Sequence, residues 1–288
     1  MEKIGFSISP EMMITSIASS LTKSEQKVAE VVKNSMKDVV YWSVSDLAEH
    51  AQVGETTVIR FCRRLGYRGY QDFKLAVAQS TNEHQTGAVE VEEVHESDSA
   101  ESLAKKVTSA NTNMLQNTQK LVDPNAIAQV TKKIISSNQI FIFGVGASGI
   151  MAQQAQYRLM RLGYRSLTAA DAHLIAMNCS LTGPKDVVIA ITTSGSTKDL
   201  VDGIKIAKEK GAFIICITNH LKSPITKYSD VVLLTSSKES PLHGGALSSL
   251  ISQMHVLDIL TRYIEFQDKD RSQKALKNTA KSVSDKLY

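Results

Sequence analysis

The sequence predicts an all-α N-terminal domain followed by an α/β three-layer (αβα) sandwich on a five-stranded parallel sheet. Three observations carry that expectation. Across residues 1–80 apolar positions keep helical spacing, and glycines separate short helical stretches. From residue 101 onward helical stretches alternate with short β-favouring apolar runs, which implies right-handed βαβ crossovers. Two of those runs enter turns rich in glycine and hydroxyl residues: IFIFGVGASG at 140–149 and VVIAITTSGST at 187–197.

A chain of 288 residues accommodates two domains. Composition places them at 1–80 and 101–288, with 81–100 as an acidic linker. Net charge is only +4, so bulk charge selects no partner, but its distribution is uneven. Residues 1–80 carry ten Lys/Arg and nine Asp/Glu, residues 81–101 seven acids and no base, and residues 102–288 23 bases and 13 acids. Three cysteines, Cys62, Cys179 and Cys216, lie in apolar surroundings without a CxxC, which predicts buried free thiols in a reducing compartment. The first residues, MEKIGFSISPEMM, hold too short an apolar core for a signal peptide, and no run approaches a membrane span of ~18 apolar residues. The expectation is a cytoplasmic protein with no membrane partner.

In the first domain, Thr22-Lys23-Ser24-Glu25 fits a capping box, and Val28, Val31, Val32 and Met36 continue at helical spacing. A short apolar piece at 39–42 leads to Ser43, an N-cap with Asp46 three residues on. Helix 44–51, the turn Gln52-Val53-Gly54 and helix 55–65, ended by Gly66, form a helix-turn-helix outline. Val58, Phe61, Cys62 and Leu65 make an inward stripe, which leaves Thr56, Thr57, Arg60, Arg63 and Arg64 pointing out. Short hydroxyl residues at the start of such a helix can reach base edges, and guanidinium groups further along can meet guanine or phosphate. Arg68 and Lys74 extend this basic face. Either it is merely solvated or it grips double-stranded DNA; turn, stripe and exposed threonines together favour DNA.

Residues 81–100 hold few large apolar side chains, and His84 and His95 there read as solvated, not as metal ligands. Beyond them, a polar-faced helix at 103–122 stops at Asp123-Pro124, a cap followed by a first-turn proline. The next helix runs to about Ser136. Strands are expected at 140–143, 166–169, 187–191, 212–217 and 230–235. Helices at 148–162, 172–180, 197–210 and near 223–228 alternate with them, and two more, near 246–266 and 271–286, close the chain.

An apolar strand, a glycine turn and a helix start bring backbone N–H groups and a positive dipole end together, which suits a phosphate. Gly144, Gly146 and Gly149 satisfy G-x-G-x-x-G, and Asp171 lies 22 residues on, so a dinucleotide fold must be weighed. Ser148 puts a hydroxyl where a dinucleotide needs close backbone approach. The second turn, Thr192-Thr193-Ser194-Gly195-Ser196-Thr197, is a further phosphate cradle that NAD does not require. A pocket for a small phosphorylated molecule, a sugar phosphate, fits both turns better, with no cofactor and no metal.

GVGASG and TTSGST together resemble the sugar isomerase (SIS) domain, whose second motif is similar to S-x-S-G-x-T. VSDLAEHAQVGETTVIRFCRRLGYRGYQDFK resembles the DNA-binding domain of the RpiR family of bacterial regulators, and the two stand in that family's order. The resemblance implies a sugar-phosphate-responsive transcription factor, homodimeric or homotetrameric, acting on a palindromic operator near genes of sugar metabolism. Ser148, Thr192, Ser194 and Thr197 match its phosphate-contacting positions; Thr192 stands where serine is common. Asp171 and His173 after the second strand, and Glu239 and His243 in ESPLHGGA, are expected beside the sugar. Asp171 could equally be a helix cap. Gly244-Gly245 departs from the family's serine-rich run at that loop.

The leading expectation is thus a non-enzymatic regulator of amino-sugar or other phosphosugar metabolism. A sugar-phosphate isomerase or lyase with an accessory N-terminal domain is the alternative, using Glu239, His243 or His173 as acid or base. An NAD-binding regulator is the third.

Overall fold

The computed structural model describes residues 9–82, 97–237 and 247–286. They fall into two compact units: 9–82, and 97–237 with 247–286.

The first unit is helical throughout: α1 (Pro10–Ser16), α2 (Lys23–Asn34), α3 (Met36–Val39), α4 (Val44–His50), α5 (Glu55–Arg64) and α6 (Tyr70–Asn82). Both capping boxes form, at Thr22/Glu25 and Ser43/Asp46, each satisfying backbone N–H groups that would otherwise lack partners. The apolar piece at 39–42 enters through the short α3. In the turn between α4 and α5 the left-handed residue is Gln52, at φ 52°, whereas Gly54 caps α5 with an ordinary φ of −79°. Ser45 Oγ donates to Glu55 Oε1 at 2.7 Å, joining the two helices. Val28, Val32, Leu47, Val58, Phe61 and Phe73 are fully buried and form the centre of this core.

The second unit opens with α7 (Ala100–Leu121) and α8 (Pro124–Ser136). There follow β1 (Ile140–Phe143), α9 (Ala147–Arg161), β2 (Ser166–Ala169), α10 (Ala172–Ser180), β3 (Val187–Ile191), α11 (Lys198–Glu209), β4 (Phe213–Thr218) and β5 (Val231–Leu234). Helices α12 (Leu247–Gln267) and α13 (Lys269–Lys281) close it. The sheet is wholly parallel in the order β2-β1-β3-β4-β5. Alternate residues divide its faces: Ile140, Ile142, Ile189 and Ile191 pack under α8, α9 and α12, while Phe141, Phe143, Val188 and Ala190 pack under α10 and α11. Because both faces are covered, the central strands β1 and β3 read as unbroken apolar runs, whereas the edge strand β2, Ser-Leu-Thr-Ala, is only partly buried. This is the αβα sandwich with the five parallel strands expected.

Chain order reverses direction in the sheet at β1/β3. Ligands of open α/β sheets bind outside the carboxyl ends of strands at such a point. The order is also not the 3-2-1-4-5-6 arrangement of dinucleotide-binding folds, which weighs against NAD.

Candidate functional site

β1 and β3 are neighbours, with Phe143 in register with Ala190, so the turns that follow them leave the sheet at the same edge. In the first turn Gly146 has φ 62° and caps α9 without a side chain. A Cβ on Gly144 would collide with the Ser148 carbonyl oxygen, so only glycine allows this approach of loop to helix. Ser148, half-buried, is the second residue of α9.

In the second turn Gly195 takes φ 64°, and a Cβ there would run into the Ser223 side chain. Thr192, 3% exposed, accepts the Gly195 N–H at 3.2 Å. Ser194 Oγ accepts the Ser196 N–H at 3.2 Å. The Thr193 carbonyl accepts from Thr218 Oγ1 at 3.0 Å and from Asn219 N at 3.1 Å. Thr197 caps α11, but its side chain makes no cap hydrogen bond. Thr192 and Ser194 therefore brace the turn from within as well as carrying hydroxyls to its edge.

Side chains close the starts of three helices in this unit, Ser99 for α7, Asp123 for α8 and Asp171 for α10, whereas α13 starts at Asp268 without a side-chain cap bond and away from the strands' carboxyl ends. The starts of α9 and α11 also lack a side-chain cap bond. Two positive dipole ends and their hydroxyls thus sit at adjacent strands with no carboxylate cap, which is the chemistry of an anion site built from neutral donors.

Asp171 and His173 lie beside the neighbouring strand end, both exposed. Asp171 Oδ1 accepts from His173 N and Leu174 N, each at 3.0 Å, so the helix-cap alternative is the role its geometry displays. Glu239 and His243 lie outside the described residues, as do His84 and His95.

Sequence reading missed Gln253. It is completely buried on α12, and its Nε2 donates to Thr193 Oγ1 at 3.3 Å while its Oε1 has no hydrogen-bond partner among the described residues. A lone amide in the apolar stretch LISQMHVL was the available signal.

On the helical unit, Thr56, Arg60, Arg63, Arg64 and Arg68 are exposed and Thr57 is half-buried, so the face expected of α5 is outward. Its arginines differ in their attachments. Glu25, with no side-chain exposure, accepts from Arg60 Nε at 3.3 Å and from Arg64 Nη1 at 3.0 Å, besides its bonds to Thr22. Arg64 Nη2 also donates to the Ser20 carbonyl at 2.6 Å. Burial alone would raise the Glu25 pKa. The hydrogen bonds from Thr22, with Arg64 and Arg60 beside it, outweigh that and hold the carboxyl below its ordinary value. Arg68 pairs with Asp72 at 3.5 Å.

Lys74 departs from expectation. It is 7% exposed and its Nζ donates to the Trp42 carbonyl at 2.8 Å, so it ties α6 to the segment before α4 and does not extend the basic face. Cys62, Cys179 and Cys216 are free and buried, as expected, and burial pushes each thiol up to about 12. Among the described residues no cluster fit to hold a metal ion occurs, and no helix is long and apolar enough to cross a membrane.

A helix-turn-helix unit and an α/β sandwich whose strand order reverses at β1/β3, in one chain, are the architecture of a transcriptional regulator with its own ligand-binding domain. Residues 10–84 match the helix-turn-helix domain of the rpiR family, and residues 133–262 match the SIS domain. An uncharacterized HTH-type transcriptional regulator of Haemophilus influenzae is 36% identical, the match covering 86% of each chain. The HTH-type transcriptional regulator HexR of Pseudomonas aeruginosa is 33% identical over 88% of this chain and 90% of its own. The structure of the Vibrio vulnificus NanR protein complexed with ManNAc-6P superposes with a TM-score of 0.87 at 27% identity, covering 96% of this chain and 98% of that one. The chain belongs to the rpiR family of helix-turn-helix transcriptional regulators.

Proposed function

We propose that this regulator senses a sugar phosphate in the cleft between the two hydroxyl-bearing turns and changes its operator affinity in response. The observation that carries this reading is the pair of uncapped helix starts, α9 and α11, behind adjacent strands β1 and β3. Ser148, Thr192, Thr193, Ser194 and Thr197 would surround the phosphate. His173, Glu239 and His243, with the second carboxylate oxygen of Asp171, would stand near the sugar. The NanR structure holds ManNAc-6P, which supports an amino-sugar phosphate as the first ligand to try.

In this reading residues 1–80 bind DNA, 81–100 link and 101–288 bind the effector, in a cytoplasmic homodimer or homotetramer on a palindromic operator. Thr56 and Thr57 would meet bases, and Arg60, Arg63, Arg64 and Arg68 would meet phosphates or guanine. The effector acts only through different affinities for the two arrangements of the oligomer. Catalysis is not part of this reading, because a stand-alone isomerase has no use for the DNA-binding unit.

Electrophoretic shift assays with and without sugar phosphate test the proposal. Ser194→Ala should leave operator binding intact and abolish the response to sugar phosphate. A variant that still responds like the wild type overturns the assignment of the cleft.

A further inference from the structure

We propose that Gln253 is a positioning residue that sets the Thr193 hydroxyl as a hydrogen-bond donor to a phosphorylated ligand; this rests on the reading of the cleft given above. Gln253 projects from α12 and is completely buried, yet a single hydrogen bond, from its Nε2 to Thr193 Oγ1 at 3.3 Å, engages its amide. Its Oε1 is sealed from solvent without a partner among the described residues. A methionine of similar volume would fill the same space without stranding an oxygen. A buried polar group kept at that cost calls for an explanation, and functional sites are where folds accept it.

The explanation lies in what the amide does to the hydroxyl. A threonine hydroxyl carries one proton and two lone pairs. Accepting the Gln253 N–H occupies a lone pair and turns the proton away from α12. The Thr193 backbone is already held through its carbonyl by Thr218 and Asn219, so the direction of the O–H is the freedom that remains. Thr193 stands half-buried between Thr192 and Ser194, in the turn proposed to face the phosphate. Its proton, aimed off the helix, serves an acceptor oxygen and disfavours ligands that offer only donors. A carboxylate at position 253 would do the opposite, because it can only accept and would draw the Thr193 proton toward itself.

The test is a double-mutant cycle on the full chain, with inorganic phosphate and N-acetylmannosamine 6-phosphate as probes. Affinities come from calorimetry, and unliganded melting temperature reports folding. Gln253→Met should weaken probe binding roughly fivefold, and the same change in a Thr193→Val background should cost nothing further. Gln253→Glu should weaken binding more than Gln253→Met does. Should the methionine variant misfold, Gln253→Asn, too short to reach Thr193, replaces it in the cycle. An equal loss in both backgrounds, no loss in either, or wild-type affinity in Gln253→Glu overturns the inference. A wild-type chain that binds neither probe overturns the reading of the cleft itself, and this role of Gln253 with it.

Discussion

The Glu25 carboxylate meets the Arg64 guanidinium at 3.0 Å across 39 residues of sequence. One glutamate thereby completes the cap of α2 and fixes the side of α5 that carries the exposed arginines. Removing it takes this acceptor from the Thr22 N–H and hydroxyl and from the Arg60 and Arg64 guanidinium groups. Glu25→Ala should lower the unfolding free energy of the helical unit by about 2 kcal/mol, combining a lost cap with lost charge-assisted bonds to partly exposed partners. Urea unfolding followed by circular dichroism checks it; a change within a few tenths would show the contact to be idle.

The same carboxyl predicts a pH dependence. Its folded-state pKa is lowered, so the contribution is complete above the ordinary carboxylate value of ~4.3 and disappears as pH falls through the lower folded value. The stability difference between wild type and Glu25→Gln should therefore be constant from neutral pH to about 5 and shrink below about 4. A difference that instead grows on acidification would contradict the assignment.

Arg63 and Arg64 should separate on mutation. Arg63 is exposed with no ion pair to a described carboxylate, whereas Arg64 holds Glu25 and the Ser20 carbonyl. Arg63→Ala should lower operator affinity and reduce the salt slope by about 1, with an unchanged melting temperature. Arg64→Ala should lower affinity and melting temperature together. Shift assays across a salt series, with calorimetric melting, distinguish the two patterns.

Lys74→Ala should behave as a core variant. Its ammonium donates to the Trp42 carbonyl in a site 7% exposed, so the loss is of packing and of a charge-assisted bond. Melting temperature should fall while the salt slope of DNA binding stays as in the wild type. A reduced slope would return Lys74 to the DNA-binding face.

The glycine turns invite a graded comparison. Gly146→Ala meets no neighbouring atom and bears only the backbone penalty of φ 62°, ψ −131°, a region that L side chains avoid, about 1–3 kcal/mol. Gly144→Ala meets backbone, and Gly195→Ala combines positive φ with a collision against Ser223. Both should destabilise the sheet unit by more than Gly146→Ala does, and both should abolish probe binding. Thermal melting of the three variants ranks them.

What could be read in the residues was whatever a short window determines. The capping residues Thr22, Ser43, Asp123 and Asp171 sit immediately before their helices, and cap chemistry acts over three residues. The stripe Val58, Phe61, Cys62 and Leu65 declared which side of α5 turns inward, and the apolar runs of β1, β3 and β4 declared the buried centre of the sheet. The turn Gln52-Val53-Gly54 was legible as a turn, but its backbone was not: Gln52, and not the glycine, takes the positive φ.

The sequence by itself therefore determined the helical unit, the parallel sheet and the two hydroxyl turns, because periodicity and turn chemistry are local. Only the tertiary structure decided the partners of the polar side chains. Arg60 and Arg64 share Glu25, Lys74 is spent on Trp42, and Gln253 reaches Thr193 across 60 residues. Packing of elements distant in the chain selects such partners, and a charge or amide reads the same in sequence whether it meets solvent or a buried neighbour.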